Sequence, residues 1–163
     1  MKKSELLLMN KISMFSYAII GYPKTFQIDE VSVWKVIEKI GKEVPLIQKW
    51  RVHIAFLPDE EIAVLNKLYR NKDGSTDVLS FHYYDDFSRL KKSDIAGEVL
   101  FSESHIISQA EEFWHGREDE FTILFIHSLL HLLGYDHEDE EDFIAMWKYE
   151  SPIREYFWLN MAR

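Results

Sequence analysis

The chain has 163 residues, 47% hydrophobic and 29% charged, with a formal net charge of −9 and no cysteine. This composition excludes a disordered chain, and the missing Cys excludes disulfides and thiolate ligands, so any metal must be held by His and carboxylate. Residues 93–150 carry 15 acidic and 2 basic residues, which argues against a general polyanion binder and leaves the available cations in the first 92 positions.

Met1–Lys3 followed by Leu6–Met9 has the outline of a signal peptide, but Asn10, Lys11 and Ser13 interrupt the apolar run. No stretch reaches the ~20 apolar residues of a membrane span. Without repeats or a Pro/Gly-rich linker, one domain over residues 1–163 in the cytoplasm is expected. An N-terminal strand is expected within Lys11–Ile20, then an amphipathic helix over Asp29–Lys42 carrying Val31, Val33, Trp34, Ile37 and Ile40. Gly41 and Pro45 end it. Trp50–Leu57 alternates as a strand, with Val52, Ile54 and Phe56 on one side. Pro58 and the acids Asp59–Glu61 open a second helix to Arg70, because acidic side chains suit the positive helix start. After a turn at Asp73-Gly74, Asp77–Tyr83 and Ile95–Phe101 read as strands joined by a charged loop, Tyr84–Asp94. Helices follow over Ser102–Phe113, Glu118–Leu133 and Glu138–Glu150, the last with Phe143, Ile144 and Trp147 facing inward. The helix over Glu118–Leu133 is apolar on every face, which predicts a central, buried position. Strands and helices mix without strict alternation. The expected class is therefore α+β, a small mixed sheet packed against helices.

The chemistry concentrates in His127-Ser128-Leu129-Leu130-His131-Leu132-Leu133-Gly134-Tyr135-Asp136-His137. Residues at i and i+4 share one helix face, so His127 and His131 can present their rings to a common point. Gly134 permits a positive φ after the helix, and His137 can return to complete a three-nitrogen face. Three protein ligands leave a fourth position open, the pattern of a catalytic zinc. Asp136 is placed to orient an imidazole from behind. The HxxxHxxGxxH spacing matches the metzincin peptidases, except that Ser128 stands where they carry the Glu general base. A hydroxyl is a poor replacement, so peptidase chemistry is disfavoured.

Three more segments bear on the substrate: Leu65–Arg70 (LNKLYR), Thr76–Phe81 (TDVLSF) and Gly97-Glu98-Val99. With Leu130–His137 (LHLLGYDH), they resemble the YbeY family of metal-dependent endoribonucleases, also called rRNA maturation factors. The resemblance runs from about Leu57 to Glu150. It implies an α+β fold with one zinc at the end of a buried helix, ligated by His127, His131 and His137. It implies single-strand-specific RNA cleavage in 3′-end maturation of 16S rRNA and ribosome quality control, with Arg70 positioning the phosphate. The partners it implies are the small ribosomal subunit and a ribosomal protein or assembly GTPase; DNA and membranes are not expected. The chain departs from the family pattern at Ser128 for Gly, Glu98 for Asp and His82 for Pro.

Arg70 has its own rationale, since a guanidinium beside a metal clamps a phosphodiester. The bland alternative is a solvated helix-terminal Arg. Glu98 is a candidate pocket carboxylate, while Thr76 and Asp77 read as turn and strand-entry residues. His53, His82, His105 and His115 have no partner at ligand spacing. The acids Glu138–Asp142 would repel RNA, so substrate should approach from the other side of the metal. Two readings compete with the ribonuclease: a metal-dependent hydrolase of another substrate, peptidase-like, and a ribosome assembly factor whose metal is structural.

Overall fold

The computed structural model describes residues 16–44, 51–85, 89–91 and 93–162. The elements among them are β1 (Ser16–Ile19), α1 (Glu30–Glu43), β2 (Arg51–Leu57), α2 (Asp59–Arg70), β3 (Val78–His82), β4 (Ile95–Ser102), α3 (Glu103–Glu112), α4 (Arg117–Leu132) and α5 (Glu140–Tyr156). The expected N-terminal strand survives as β1; residues 11–15 of that span, and parts of the Tyr84–Asp94 loop, lie outside the described residues. No helix among the described residues is long and apolar enough to cross a membrane.

The four strands form one sheet in the order β1-β2-β4-β3. β1 and β2 pair in parallel, as do β2 and β4, whereas β3 runs antiparallel to β4 at the edge. This is the expected α+β arrangement with a mixed sheet. Strand alternation separates two cores. Val52 and Ile54 of β2 and Val99 and Phe101 of β4 face a large cluster with α1, α4 and α5. Ala55, Leu79 and Leu100 face the other way and are covered by Ile62 of α2.

Local chemistry fixes the helix ends. The Asp29 side chain accepts from the Val31 amide at 3.1 Å, and that of Ser102 accepts from His105 at 3.2 Å, each filling an orphan donor of the first turn. Asn71 ends α2 with φ of 53°, a left-handed position that Asn tolerates. Gly97 is required by close approach. A Cβ there would lie 2.1 Å from the Phe81 carbonyl oxygen, so β3 could not pair this closely with β4, and 3.1 Å from the Leu132 side chain of α4.

α4 is buried around most of its circumference, from Phe121 and Phe125 to Leu129, Leu130 and Leu132. His127 and His131 are only partly buried, and they mark the stripe that leaves the core. α5 departs from expectation in two ways. It continues through Pro152 to Tyr156, beyond the expected end at Glu150. Proline removes an amide donor and crowds the carbonyl one turn back, but the buried Ile153 and Arg154 hold the last turn. Its inward residues are Met146, Glu150, Ile153 and Arg154, while Phe143 and Ile144 are 52% and 60% exposed. The helix turns a buried ion pair inward, which rotates its upper apolar stripe away from the core. Phe143 and Trp147 instead stack at 6.1 Å on the wall of a cavity.

Candidate metal centre

His127 and His131 leave α4 one turn apart, and their Nε2 atoms approach to 3.0 Å. Gly134, at φ of 93°, follows the helix. Its amide donates to the His131 carbonyl at 3.0 Å and the Tyr135 amide donates to Leu130 at 3.1 Å. This left-handed C-terminal turn reverses the chain and delivers His137. The His137 ring centroid lies 5.2 Å from that of His127 and 5.0 Å from that of His131. One ligand-capable nitrogen from each ring falls within 4.8 Å of the others.

The second nitrogens are held as well. His127 Nδ1 donates to Glu150 Oε2 at 3.0 Å, and His131 Nδ1 donates to the Tyr135 carbonyl at 2.9 Å. Those bonds put the protons on Nδ1 and leave both Nε2 lone pairs facing each other. Two lone pairs at that distance repel unless a cation lies between them. Nitrogens bound at 2.0–2.1 Å to a tetrahedral ion would lie about 3.3 Å apart, so the donor set fits zinc with little adjustment. Burial, with help from the neighbouring His127 and His137, holds His131 down at about 4. It is therefore neutral and able to ligate at neutral pH.

Glu150 is 3% exposed and is paired on its other oxygen with the Arg154 guanidinium. Burial pushes this carboxyl up, but the hydrogen bond from His127, together with Arg154, outweighs that and holds it below the usual range. Asp136 does less than expected of it. It accepts from the His137 amide at 2.8 Å and lies 3.9 Å from His131 Nδ1, farther than the Tyr135 carbonyl. Ser128 is fully buried and donates to the Leu124 carbonyl at 2.6 Å, so position 128 points into the core and away from the three rings.

The histidines open into a cavity of about 700 Å³ that is also lined by Arg70, Thr76, Asp77, Ser80 and His82. Arg70 thus lines the same cavity as the histidines. Glu98 is not on the cavity wall. On β4 it has the parity of Leu100, towards α2, and it bonds Tyr83 instead. Asp77 accepts from the Val78 amide at 2.8 Å and from Gln109 Nε2 at 3.2 Å, as a strand-entry residue would, although it also lines the cavity. His53 and His105 stay apart from this cavity. His115 is partnered at 2.6 Å by the buried Glu120.

Sequence reasoning missed three cavity residues: Glu150, Arg154 and His82. The i, i+4 spacing of Glu150 and Arg154 is a signal, but an identical pair on a solvated helix face would look the same.

Comparison with known proteins agrees with this geometry. The family model for Endoribonuclease YbeY matches residues 23–157, a longer span than the motif blocks alone cover. The chain is similar to Endoribonuclease YbeY of Malacoplasma penetrans, 37% identical over 79% of this chain and 85% of that protein. It is 40% identical to the Macrococcus caseolyticus protein of the same name, over 67% of this chain and 73% of that one. A solution structure of a Thermotoga maritima protein superimposes with a TM-score of 0.52 at 27% identity, covering 86% of this chain and 91% of that one. On the family match and these identities, the chain belongs to the YbeY endoribonuclease family.

Proposed function

We propose that this chain is a zinc-dependent endoribonuclease of the cytoplasm, one domain over residues 1–163, that cuts single-stranded RNA. The observation that carries the reading is the convergence of three imidazoles on a cavity that the Arg70 guanidinium also lines. His127, His131 and His137 would hold the ion. When bound, it supplies a Lewis acid and a lowered pKa for water. The residues of the chain do the rest. Arg70 binds the phosphodiester and offsets charge developing on it. Glu150, itself held by Arg154, fixes the His127 tautomer and ring orientation. The buried Ser128 leaves the metzincin base position without a carboxylate and disfavours a peptidase. The family supports a substrate in ribosomal RNA, with a role in 3′-end maturation of 16S rRNA and ribosome quality control. The partners would be the small subunit and a ribosomal protein or assembly GTPase. Such a partner would add to the affinity of a chain whose net charge is −9.

The test is cleavage of a single-stranded ribosomal RNA fragment by the purified protein. Chelation should abolish cleavage and zinc should restore it; cleavage that survives chelation contradicts the mechanism. Arg70→Ala should stay folded and metal-loaded while cleavage falls by roughly 10²–10³, the loss typical of removing one such charge-stabilising donor. Full activity in that variant would remove Arg70 from catalysis and favour an assembly factor with a structural metal.

A further inference from the structure

Edge strand β3 separates two surfaces of different chemistry. Ser80 and His82 line the metal cavity, while Phe81, between them, packs towards α2. Tyr83 extends the ladder by donating its amide to the Ala96 carbonyl at 2.7 Å and has the parity of Phe81. Tyr69, the residue before Arg70, meets Phe81 edge-on with ring centroids 5.1 Å apart. Tyr69 and Tyr83 are nevertheless 64% and 52% exposed. Burial and a hydrogen bond to Glu98 push the Tyr83 phenol up to about 12, so it stays protonated and its ring is anchored at the hydroxyl end. Two rings therefore stand open to solvent, one of them on the residue next in sequence to the Arg70 that lines the cavity.

The charges around the cavity differ from wall to wall. The end of α2 and the segment after it carry Lys67, Arg70 and Lys72 against Asp73, which pairs with Lys67 at 2.9 Å, and Asp77, which accepts from the Val78 amide and Gln109. The exposed acids Glu138–Asp142 at the start of α5 directly precede Phe143, which with Trp147 also lines the cavity. A polyanion entering the cavity is repelled from the α5 side and accepted on the α2–β3 side. Exposed aromatic rings beside cations are the combination that binds single strands, because every base offers a face to stack and every linkage a phosphate to pair. A duplex buries its bases and could use only the phosphate half of this surface.

We propose that single-stranded RNA crosses the β3 edge with bases stacked on Tyr69 and Tyr83 while Arg70 holds the phosphate passing into the cavity. The proposal rests on the ribonuclease reading and adds to it the path of the strand and the basis of single-strand selectivity. Both tyrosines are exposed, and leucine at either position removes the aromatic face while keeping an apolar side chain.

The experiment measures binding of a short single-stranded RNA containing 2-aminopurine, and of its duplex, to the full chain. Wild type should bind the single strand and quench 2-aminopurine. Tyr69→Leu and Tyr83→Leu should each weaken that binding about tenfold, the loss of one stacked base, and leave duplex binding unchanged. Tyr69→Phe and Tyr83→Phe should keep both affinity and quenching, since the ring and not the hydroxyl stacks. In cleavage assays the leucine variants should raise KM with kcat unchanged. If wild type binds single strands and the leucine variants bind and quench equally well, the stacking path is wrong, the ribonuclease reading stands, and this face is left to a protein partner. If wild type binds no single-stranded RNA, the ribonuclease reading fails and the path fails with it.

Discussion

His127 and His131 are held differently from His137, although all three aim at one point. The first two rise from a buried helix, each partly buried, with the second ring nitrogen bound to Glu150 or to the Tyr135 carbonyl. His137 sits in an exposed loop after Gly134, anchored through its backbone amide to Asp136. The helical pair is pre-organised by the core, whereas the third ligand depends on a turn. A rigid pair with an adjustable third arm combines ready-made affinity with an open side for substrate.

That contrast can be broken by substitution. His131→Ala should reduce zinc affinity by roughly 10³, about a third of a typical structural-site binding energy, and His137→Ala by less. Isothermal titration with zinc measures both, and equal losses would erase the distinction. Next in size, Glu150→Ala removes the buried carboxylate from both the Arg154 guanidinium and His127 Nδ1, and should cost about 3–5 kcal/mol in denaturant unfolding. Glu150→Gln keeps the shape and should weaken zinc binding about 10–100-fold by loosening His127.

Acid probes the pair through its protons. The His131 pKa is lowered from 6.5 to about 4, so between those values the unfolded chain binds a proton that the folded chain refuses. Stability of the metal-free protein is therefore complete above about pH 6.5 and falls as pH drops towards 4. A metal-free melting temperature that rises on acidification over this window would contradict the burial of His131. A smaller effect is expected on the third arm. Gly134→Ala places a side chain at φ of 93° and should cost about 1 kcal/mol in thermal unfolding. The converse holds at Trp114, which is 94% exposed at φ of 56°. Trp114→Gly should stabilise the protein by about 0.5–1 kcal/mol.

The parts of the molecule legible from the chain are those whose periodicity matches their environment. The i, i+4 histidines, the apolar circumference of α4, the alternation of β2 and the glycine after α4 each imply one local geometry, and each is found. The parts that were not legible depend on which helix face meets the core. Phe143 and Ile144 have the spacing of a buried stripe, but the Glu150–Arg154 pair takes the inward position and turns them out. Glu98 carries a charge in a suggestive motif, but strand parity directs it to Tyr83 and away from the histidines. His82 reaches the cavity because β3 is an edge strand, a fact of sheet order that spacing within one segment does not contain.

The most direct test of the three-histidine centre is metal analysis of the purified protein beside its His131→Ala variant. One zinc per chain in the first and almost none in the second is the predicted result. Metal absent from both, or equally present in both, would contradict a site built on His127, His131 and His137.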